Sequence, residues 1–239
     1  MTTMRRFFAP ASILICVCTI SILFVRLYGV IPETPAVANP RFKYWTRDPI
    51  WNFTKPLMWE VSLLLGPEDR GFIRRDIIND KTCLGMHVYQ DGANDTYPWA
   101  TVHVRQNLRG RATKQLFEGT LEMWVYPTFV HQRYQDSGHP KNVFGIEIND
   151  GTNLLWIIFS EQPDGVYQIK RHLIVIINTP LNTWSHREVQ VRNYYTHAGW
   201  KLPVEVALIL LVGATRDAPG ECAGFFEEIK VVSKGSQIS

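Results

Sequence analysis

Polar and aromatic side chains alternate with apolar ones along three segments of this sequence. In Trp99–Arg105 the polar positions alternate with Val102 and Val104, and Thr120–Tyr126 and Val143–Ile148 show the same period of two. Successive side chains of a strand point to opposite faces, so each segment predicts one apolar face and one polar face. If these strands are neighbours, the polar faces form one candidate ligand-binding surface of His103, Arg105, Glu122, Trp124, Tyr126, Glu147 and Asn149.

This candidate surface has the chemistry of a sugar-binding site. Trp and Tyr rings stack on the apolar C–H faces of sugars, while carboxylate, amide and guanidinium groups bond hydroxyls. The alternative is a solvated outer sheet face whose charges pair across strands.

Catalytic and metal-binding motifs are absent from the sequence, so we predict no enzyme, no cofactor and no metal site. The stretch Glu147-Ile148-Asn149-Asp150 resembles the core of laminarinase-type glycoside hydrolases, but Asn149 replaces the middle acid and no second Glu follows in register. The sequence contains no G-x-S-x-G, H-E-x-x-H or glycine-rich phosphate loop. The seven histidines are scattered without paired spacing.

Short β-type runs separated by turn signals predict an all-β fold. Val143–Ile148 and Leu154–Phe159 flank Asn149-Asp150-Gly151 and predict a hairpin. About ten strands without a helical period indicate a sandwich or barrel. The other predicted strands are Leu84–Tyr89, Trp99–Arg105, Thr120–Tyr126, Tyr167–Ile177, Glu188–Val191, Val204–Val212 and Gly224–Val232.

Composition excludes several classes of protein. The net charge is +3, too small for an electrostatic nucleic-acid binder. With 12% aromatic residues and eight Trp, the chain is not intrinsically disordered. About 200 residues follow the N-terminal region, enough for one domain with its own core.

The N-terminus predicts a membrane anchor. Phe7–Val25 is a 19-residue run without charge that follows Arg5 and Arg6, long enough to cross a bilayer with the N-terminus inside the cell. The alternative is a signal peptide cleaved near Ala36-Val37-Ala38. We therefore predict an anchor or signal peptide over residues 1–31, a linker over 32–40 and an extracytoplasmic β-domain over 41–239.

Several landmarks resemble galactose-binding-like carbohydrate-binding modules. Asn39-Pro40-Arg41-Phe42, then Trp45, Pro49 and Trp51, is similar to their opening, and Lys81–Tyr89 and Trp99–Gln106 resemble the strands that follow. Val206–Val212 and Gly224–Ile229 resemble their last strands, while Thr120–Pro127 is similar to concanavalin-A-like and laminin-G-like sandwiches. The resemblance implies a jelly-roll β-sandwich and sugar binding.

The resemblance also bears on calcium and cysteine. Lys43 stands where many such modules have an acidic calcium ligand, so we predict no calcium site. The first and last strands of jelly rolls often pair, which implies a Cys83–Cys222 disulfide; two buried free thiols are the alternative. Asn52 and Asn94 lie in glycosylation tripeptides.

Two functions remain after these exclusions. In the first, the chain is a membrane-anchored, non-catalytic glycan-binding module of the cell surface. In the second, it is an accessory subunit that contacts an envelope protein through its sheet face. Neither function involves nucleic acid.

Overall fold

The alternating segments fold into two β-sheets that enclose one apolar core. A computed structural model describes residues 35–48, 53–91, 99–130, 142–215 and 220–233. The predicted anchor and the glycosylation positions Asn52 and Asn94 lie outside these residues. The strands are β1 (Trp45–Arg47), β2 (Thr54–Pro56), β3 (Glu60–Leu64), β4 (Arg70–Ile78), β5 (Lys81–Gln90), β6 (Trp99–Arg109), β7 (Thr120–Val130), β8 (Asn142–Asn149), β9 (Leu154–Ser160), β10 (Gly165–Ile169), β11 (His172–Asn178), β12 (Ser185–Val189), β13 (Glu205–Thr215) and β14 (Gly220–Val232).

A seven-stranded and a five-stranded sheet form the sandwich. The larger sheet has the order β10-β11-β9-β8-β13-β6-β3 and the smaller one β12-β7-β14-β5-β4, while β1 and β2 pair separately. In the described part of the chain, all strand pairs are antiparallel except β11 with β9, which is parallel. The β-sandwich prediction is confirmed at this level.

The core contains the apolar positions that alternation assigns to it. Val104, Leu210 and Ile146 lie side by side on β6, β13 and β8, and each is at most 1% exposed. Residues Val206–Thr215 of β13 are buried on both faces, as expected of a central strand. Across the core, Leu121, Met123 and Val125 of β7 are fully buried.

The predicted hairpin around Asn149-Asp150-Gly151 is confirmed. β8 pairs with β9 from Asn149 opposite Leu154, and Gly151 has a φ of 82°. Asp150 accepts hydrogen bonds from the backbone of Thr152 and Asn153 at 2.8 and 2.7 Å. These bonds order the loop that connects the two strands.

The strand assignments differ from the structure in three places. Tyr167–Ile177 divides into β10 and β11, because Lys170 takes a φ of 55° and turns the chain. Glu188–Val191 shifts to Ser185–Val189, since Val191 begins a helix. Strands β1–β4 were not predicted; β3 and β4 are edge strands, and none of their residues is fully buried.

Two short helices, α1 (Arg111–Glu118) and α2 (Val191–His197), were also not predicted. α1 connects β6 in the larger sheet to β7 in the smaller one. It buries Leu116 and Phe117, and the Phe117 ring packs edge-on against Tyr195 of α2 at 4.8 Å. This crossover decides which strands are neighbours.

The described part of the predicted linker packs on the domain. Val37 is 1% exposed, and the Ala38 backbone both donates to and accepts from the Gln106 side chain at 3.0 Å. The indole of Trp59 also donates to Ala38 O at 3.1 Å. Residues 35–40 are therefore part of the sandwich rather than a spacer.

Candidate functional site

The structure divides the candidate surface between two opposite faces. His103 and Arg105 on β6 and Glu147 and Asn149 on β8 point outward from the seven-stranded sheet. Glu122, Trp124 and Tyr126 lie on β7, which belongs to the five-stranded sheet. The premise that β6, β7 and β8 are neighbours is therefore wrong, because α1 carries the chain across the core.

On the seven-stranded face, Arg105 and Glu147 belong to one row. Both are register partners of Ile209 on the central strand β13. The row continues to Trp156 on β9, which is opposite Glu147. His103 lies in the adjacent row, opposite Leu211. The row therefore brings a cation, a carboxylate and an indole to one line across the sheet.

Glu147 is a buried, hydrogen-bonded carboxylate of this face. It is 7% exposed, and Trp156 Nε1 donates to its Oε2 at 2.9 Å while Asn149 Nδ2 donates to its Oε1 at 3.0 Å. Each carboxylate oxygen thus has one neutral donor. A carboxylate offers about four acceptor positions, so two remain for further donors.

Trp156, which bonds Glu147, and Trp99, which meets the Trp156 ring, supply aromatic surface on this face, and sequence reasoning missed both. Their rings meet edge to face at a centroid distance of 6.0 Å. A Cβ at Gly213 would lie 3.6 Å from Cε3 of Trp99, so the indole covers the glycine. Trp156 also packs edge-on against the His172 ring, at a centroid distance of 4.5 Å. The pair forms an aromatic corner over the sheet.

An apolar floor supports the two indoles. Its buried members project from four adjacent strands and have Trp99, Trp156 and Ile169 packed against them. An outer sheet face that only pairs charges across strands would have no such cluster. The buried residues are Val143, Ile158, Ile174, Ile176 and Leu211.

The environment of His103 favours its neutral form. Burial lowers the pKa of His103 below 6.5; the charge of Glu147 opposes this shift and that of Arg105 adds to it. At neutral pH the imidazole therefore offers one donor and one acceptor.

A recess extends the row at its β3 end. Glu60 on β3 is opposite Arg105, and both line a recess of about 310 Å³ together with Asn107 and Met58. Arg105 Nε donates to Asn107 Oδ1 at 2.9 Å, which holds the guanidinium along the strand. Polar groups therefore continue from the aromatic corner toward this edge.

On the five-stranded face, charged groups neutralise one another. Glu227 is 9% exposed and accepts from Lys81 Nζ at 3.2 Å. The same ammonium lies 4.1 Å from the centroid of the Trp124 ring, and Trp124 packs against His186 at 5.1 Å. The aromatic residues predicted to stack on sugar are thus engaged by neighbouring side chains of their own face.

Phenylalanines line a groove on the same face. It has a volume of about 330 Å³ and includes Phe72, Phe129 and Phe225. Phe72 is 44% and Phe129 48% exposed, and the Phe72 ring stacks on His87 at 4.8 Å. Three phenylalanine rings therefore contribute apolar surface to this groove.

The predicted Cys83–Cys222 disulfide is wrong. Both cysteines are free and buried. Their strands β5 and β14 do pair as expected, but Cys222 is opposite Val88. Cys83 lies five residues farther along β5, about 17 Å away by strand rise and beyond the range of about 4.4–6.8 Å that a bridge needs between Cα atoms.

The described residues contain neither a metal-ligand cluster nor a membrane-spanning helix. Within the described residues, no three His, Cys, Asp or Glu side chains are placed to hold a metal ion. No helix in the same part of the chain has the length and apolar character needed to cross a membrane.

Comparison with known proteins yields structural likenesses alone. No protein-family model matches the sequence, and no curated protein matches it. One similar structure is the xyloglucanase domain of NopAA, a type three effector from Sinorhizobium fredii, with 13% identity and a TM-score of 0.43 over 74% of this chain and 93% of that one. The family 30 carbohydrate-binding module of a cellulosomal cellulase of Clostridium thermocellum has 14% identity and a TM-score of 0.40 over 75% of this chain and 93% of that one. A structure of carbohydrate-binding modules from the β-sandwich superfamily has 10% identity and a TM-score of 0.38 over 74% of this chain and 57% of that one. At these identities and TM-scores, the likenesses carry no argument about the function of this chain.

Proposed function

We propose that this chain binds a glycan, without catalysis, on the outward face of its seven-stranded sheet. The observation that carries the proposal is Glu147 beside the Trp99–Trp156 corner, with each of its oxygens bonded to a neutral donor. Sugars combine apolar C–H faces with hydroxyl donors, so an indole edge next to a carboxylate with spare acceptor positions matches them. His103, Arg105 and Asn149 flank this centre and add directional hydrogen bonds.

The spacing of acidic side chains supports binding rather than hydrolysis. Among the described strands, Glu60, Glu147 and Glu205 are the acids of this face. Glu60 and Glu147 are three strand spacings apart, about 14 Å, whereas the carboxyl groups of glycosidases lie about 5–5.5 or 6.5–9.5 Å apart. Glu205 pairs with Arg109 at 2.7 Å and is four residues from Ile209 along β13.

The N-terminal sequence gives the proposed location. Arg5 and Arg6 before the uncharged run Phe7–Val25 support a single membrane span with its N-terminus inside the cell. The β-domain then faces the outside, where polysaccharides are present. Protease added to intact cells should remove the domain; full protection would contradict this location.

The experiment is a binding screen followed by matched variants on the two faces. Full-length protein in detergent is tested against soluble neutral β-glucans, xyloglucan, mannan and one anionic polysaccharide. For any polysaccharide that binds, Trp99→Ala should weaken binding by about 1–3 kcal/mol, as expected for loss of an aromatic anchor. Trp124→Ala on the five-stranded face is the control and should leave binding unchanged.

Two outcomes would contradict the proposal. If no polysaccharide in the screen binds, glycan recognition is refuted for these classes. If Trp124→Ala abolishes binding while Trp99→Ala does not, the ligand lies on the other face. Thermal melts of both variants exclude unfolding as the cause.

A further inference from the structure

Strand β4 is a long edge strand with exposed apolar side chains. It has nine residues, Arg70–Ile78, and pairs on one side with β5. Within the described residues, the order of the five-stranded sheet ends at β4. Phe72 is 44% and Ile77 66% exposed. Such an edge is a template for another strand.

The hairpin turn decides which backbone groups of β4 face the free edge. Asn79 and Asp80 have φ values of 50° and 65° and form a two-residue turn, so Ile78 and Lys81 are the closing hydrogen-bonded pair. Hydrogen-bonded pairs alternate along an antiparallel ladder. The N–H and C=O groups of Ile73, Arg75 and Ile77 therefore point to the free edge.

One edge group already has a side-chain partner. The Ile77 N–H donates to Asp76 Oδ1 at 2.9 Å, and Asp76 Oδ2 accepts from Arg74 at 2.9 Å. Arg74 and Asp76 project from the same face of β4, because they are two residues apart. The edge thus presents one positive and one negative group close to its middle.

We propose that β4 pairs antiparallel with β4 of a second copy of this chain, with Arg75 opposite Arg75. In this register Ile73 is opposite Ile77 of the second copy, so the residues whose backbone groups point to the free edge bond one another. The Ile77 N–H then exchanges Asp76 Oδ1 for the Ile73 carbonyl of the second copy. Arg74 is opposite Asp76 of the second copy, twice by symmetry, and forms a cluster of four charges with alternating sign.

Neighbouring registers lack this complementarity. A shift of two residues in one direction places Arg74 opposite Arg74 and Phe72 opposite Asp76. The opposite shift places Asp76 opposite Asp76. Like charges directly opposite destabilise a sheet. In the proposed register the Arg75 pair is the one like-charged contact, and these long exposed side chains can diverge into water.

The pairing has a geometric consequence. The twofold axis runs perpendicular to the joined ten-stranded sheet, so both seven-stranded faces point to the same side. If the proposed glycan site is correct, the dimer is bivalent toward a polysaccharide and gains avidity. The dimer itself does not depend on that site.

Cysteine cross-linking tests the register directly. Full-length protein in detergent carries Cys16→Ser and Cys18→Ser, so that the remaining native thiols are the buried Cys83 and Cys222. Arg75→Cys should form a disulfide-linked dimer under mild oxidation, since paired Cα atoms about 5.5 Å apart suit a bridge. Ile77→Cys is the matched control, because the two copies of residue 77 are about 13 Å apart.

The expected result is at least a tenfold higher yield of cross-linked dimer for Arg75→Cys than for Ile77→Cys. Equal yields, or no cross-link in either variant, would overturn the proposal. Sedimentation equilibrium gives an independent readout: Arg74→Asp should weaken dimerisation at least tenfold, and Arg74→Asp with Asp76→Arg should restore it. A parent chain that is monomeric at 100 µM, or a double variant without restoration, would overturn it as well.

Discussion

Among the described residues, each outward face of the sandwich contains one buried carboxylate, Glu147 or Glu227, and the two faces stabilise it differently. Glu147 on the seven-stranded sheet accepts from an indole N–H and an amide, whereas Glu227 on the five-stranded sheet accepts from the Lys81 ammonium. A cation cancels the charge of its partner, while neutral donors leave the charge in place. The seven-stranded face therefore retains an acceptor for a ligand, and the five-stranded face has a closed internal pair.

Removal of the cation on the five-stranded face should have the largest effect on stability. Lys81→Met leaves Glu227 without its charged partner, and the free energy of unfolding should fall by about 3 kcal/mol, the low end for a broken buried pair, since Lys81 is 31% exposed. Chemical denaturation measures the change. Addition of Glu227→Leu should recover most of the loss; a double variant as unstable as Lys81→Met would show that packing, not charge, is responsible.

Loss of one neutral donor on the seven-stranded face should have a smaller effect. Trp156→Phe keeps an aromatic ring but removes the N–H group that donates to Glu147 Oε2. The free energy of unfolding should fall by about 1–3 kcal/mol, because a buried acceptor is left unsatisfied. Trp124→Phe is the matched substitution on the other face and should cost less than about 1 kcal/mol, because Phe preserves a cation–π contact with Lys81. If chemical denaturation shows equal losses of unfolding free energy for Trp156→Phe and Trp124→Phe, the two faces do not differ in this respect.

The seven-stranded face should also contribute a pH dependence through His103. Its pKa in the folded chain is below 6.5, mainly because the ring is buried. Between the folded and unfolded pKa values the unfolded state binds more protons, so stability falls as the pH decreases through 6.5 and levels off below the folded pKa. His103→Asn should flatten this part of the profile measured by denaturation from pH 7.5 to 5. A profile parallel to that of the parent would contradict the assignment.

Thiol chemistry gives the smallest expected signal. Burial raises the pKa of Cys83 and of Cys222 to about 12, so neither is a thiolate at neutral pH. Iodoacetamide at pH 8 should leave both unlabelled in the folded chain and label both after unfolding without reductant. If mass spectrometry finds both cysteines unlabelled in the unfolded chain, they are bonded to each other and the free-thiol assignment is wrong.

Alternation along strands was sufficient to predict the part of the core that these strands supply. Val102, Val104, Leu121, Met123 and Ile146 are buried as their positions require, because side-chain direction depends on local geometry alone. Strand neighbours are not a local property. The short helix α1 places β7 in the other sheet, so Trp124 and Tyr126 cannot share a surface with Glu147.

The aromatic corner could have been predicted in part. Trp99 has the same parity as His103 and Arg105 in a predicted strand, which assigns it to their face. Trp156 lies in an almost uninterrupted apolar run, so alternation carries no signal there. The hairpin register after Asn149-Asp150-Gly151 does place Trp156 opposite Glu147. The Glu147–Trp156 bond itself depends on side-chain conformations that the sequence pattern does not determine.

Hydrogen–deuterium exchange of the full chain, with and without a polysaccharide that binds, tests the central claim most directly. Bound polysaccharide should slow exchange in residues 99–109, 142–149 and 154–160, which form the strands around Trp99, Glu147 and Trp156. Exchange in residues 70–90 and 120–130 of the five-stranded sheet should not change. Protection of the five-stranded strands instead would place the ligand at Trp124 and contradict the account.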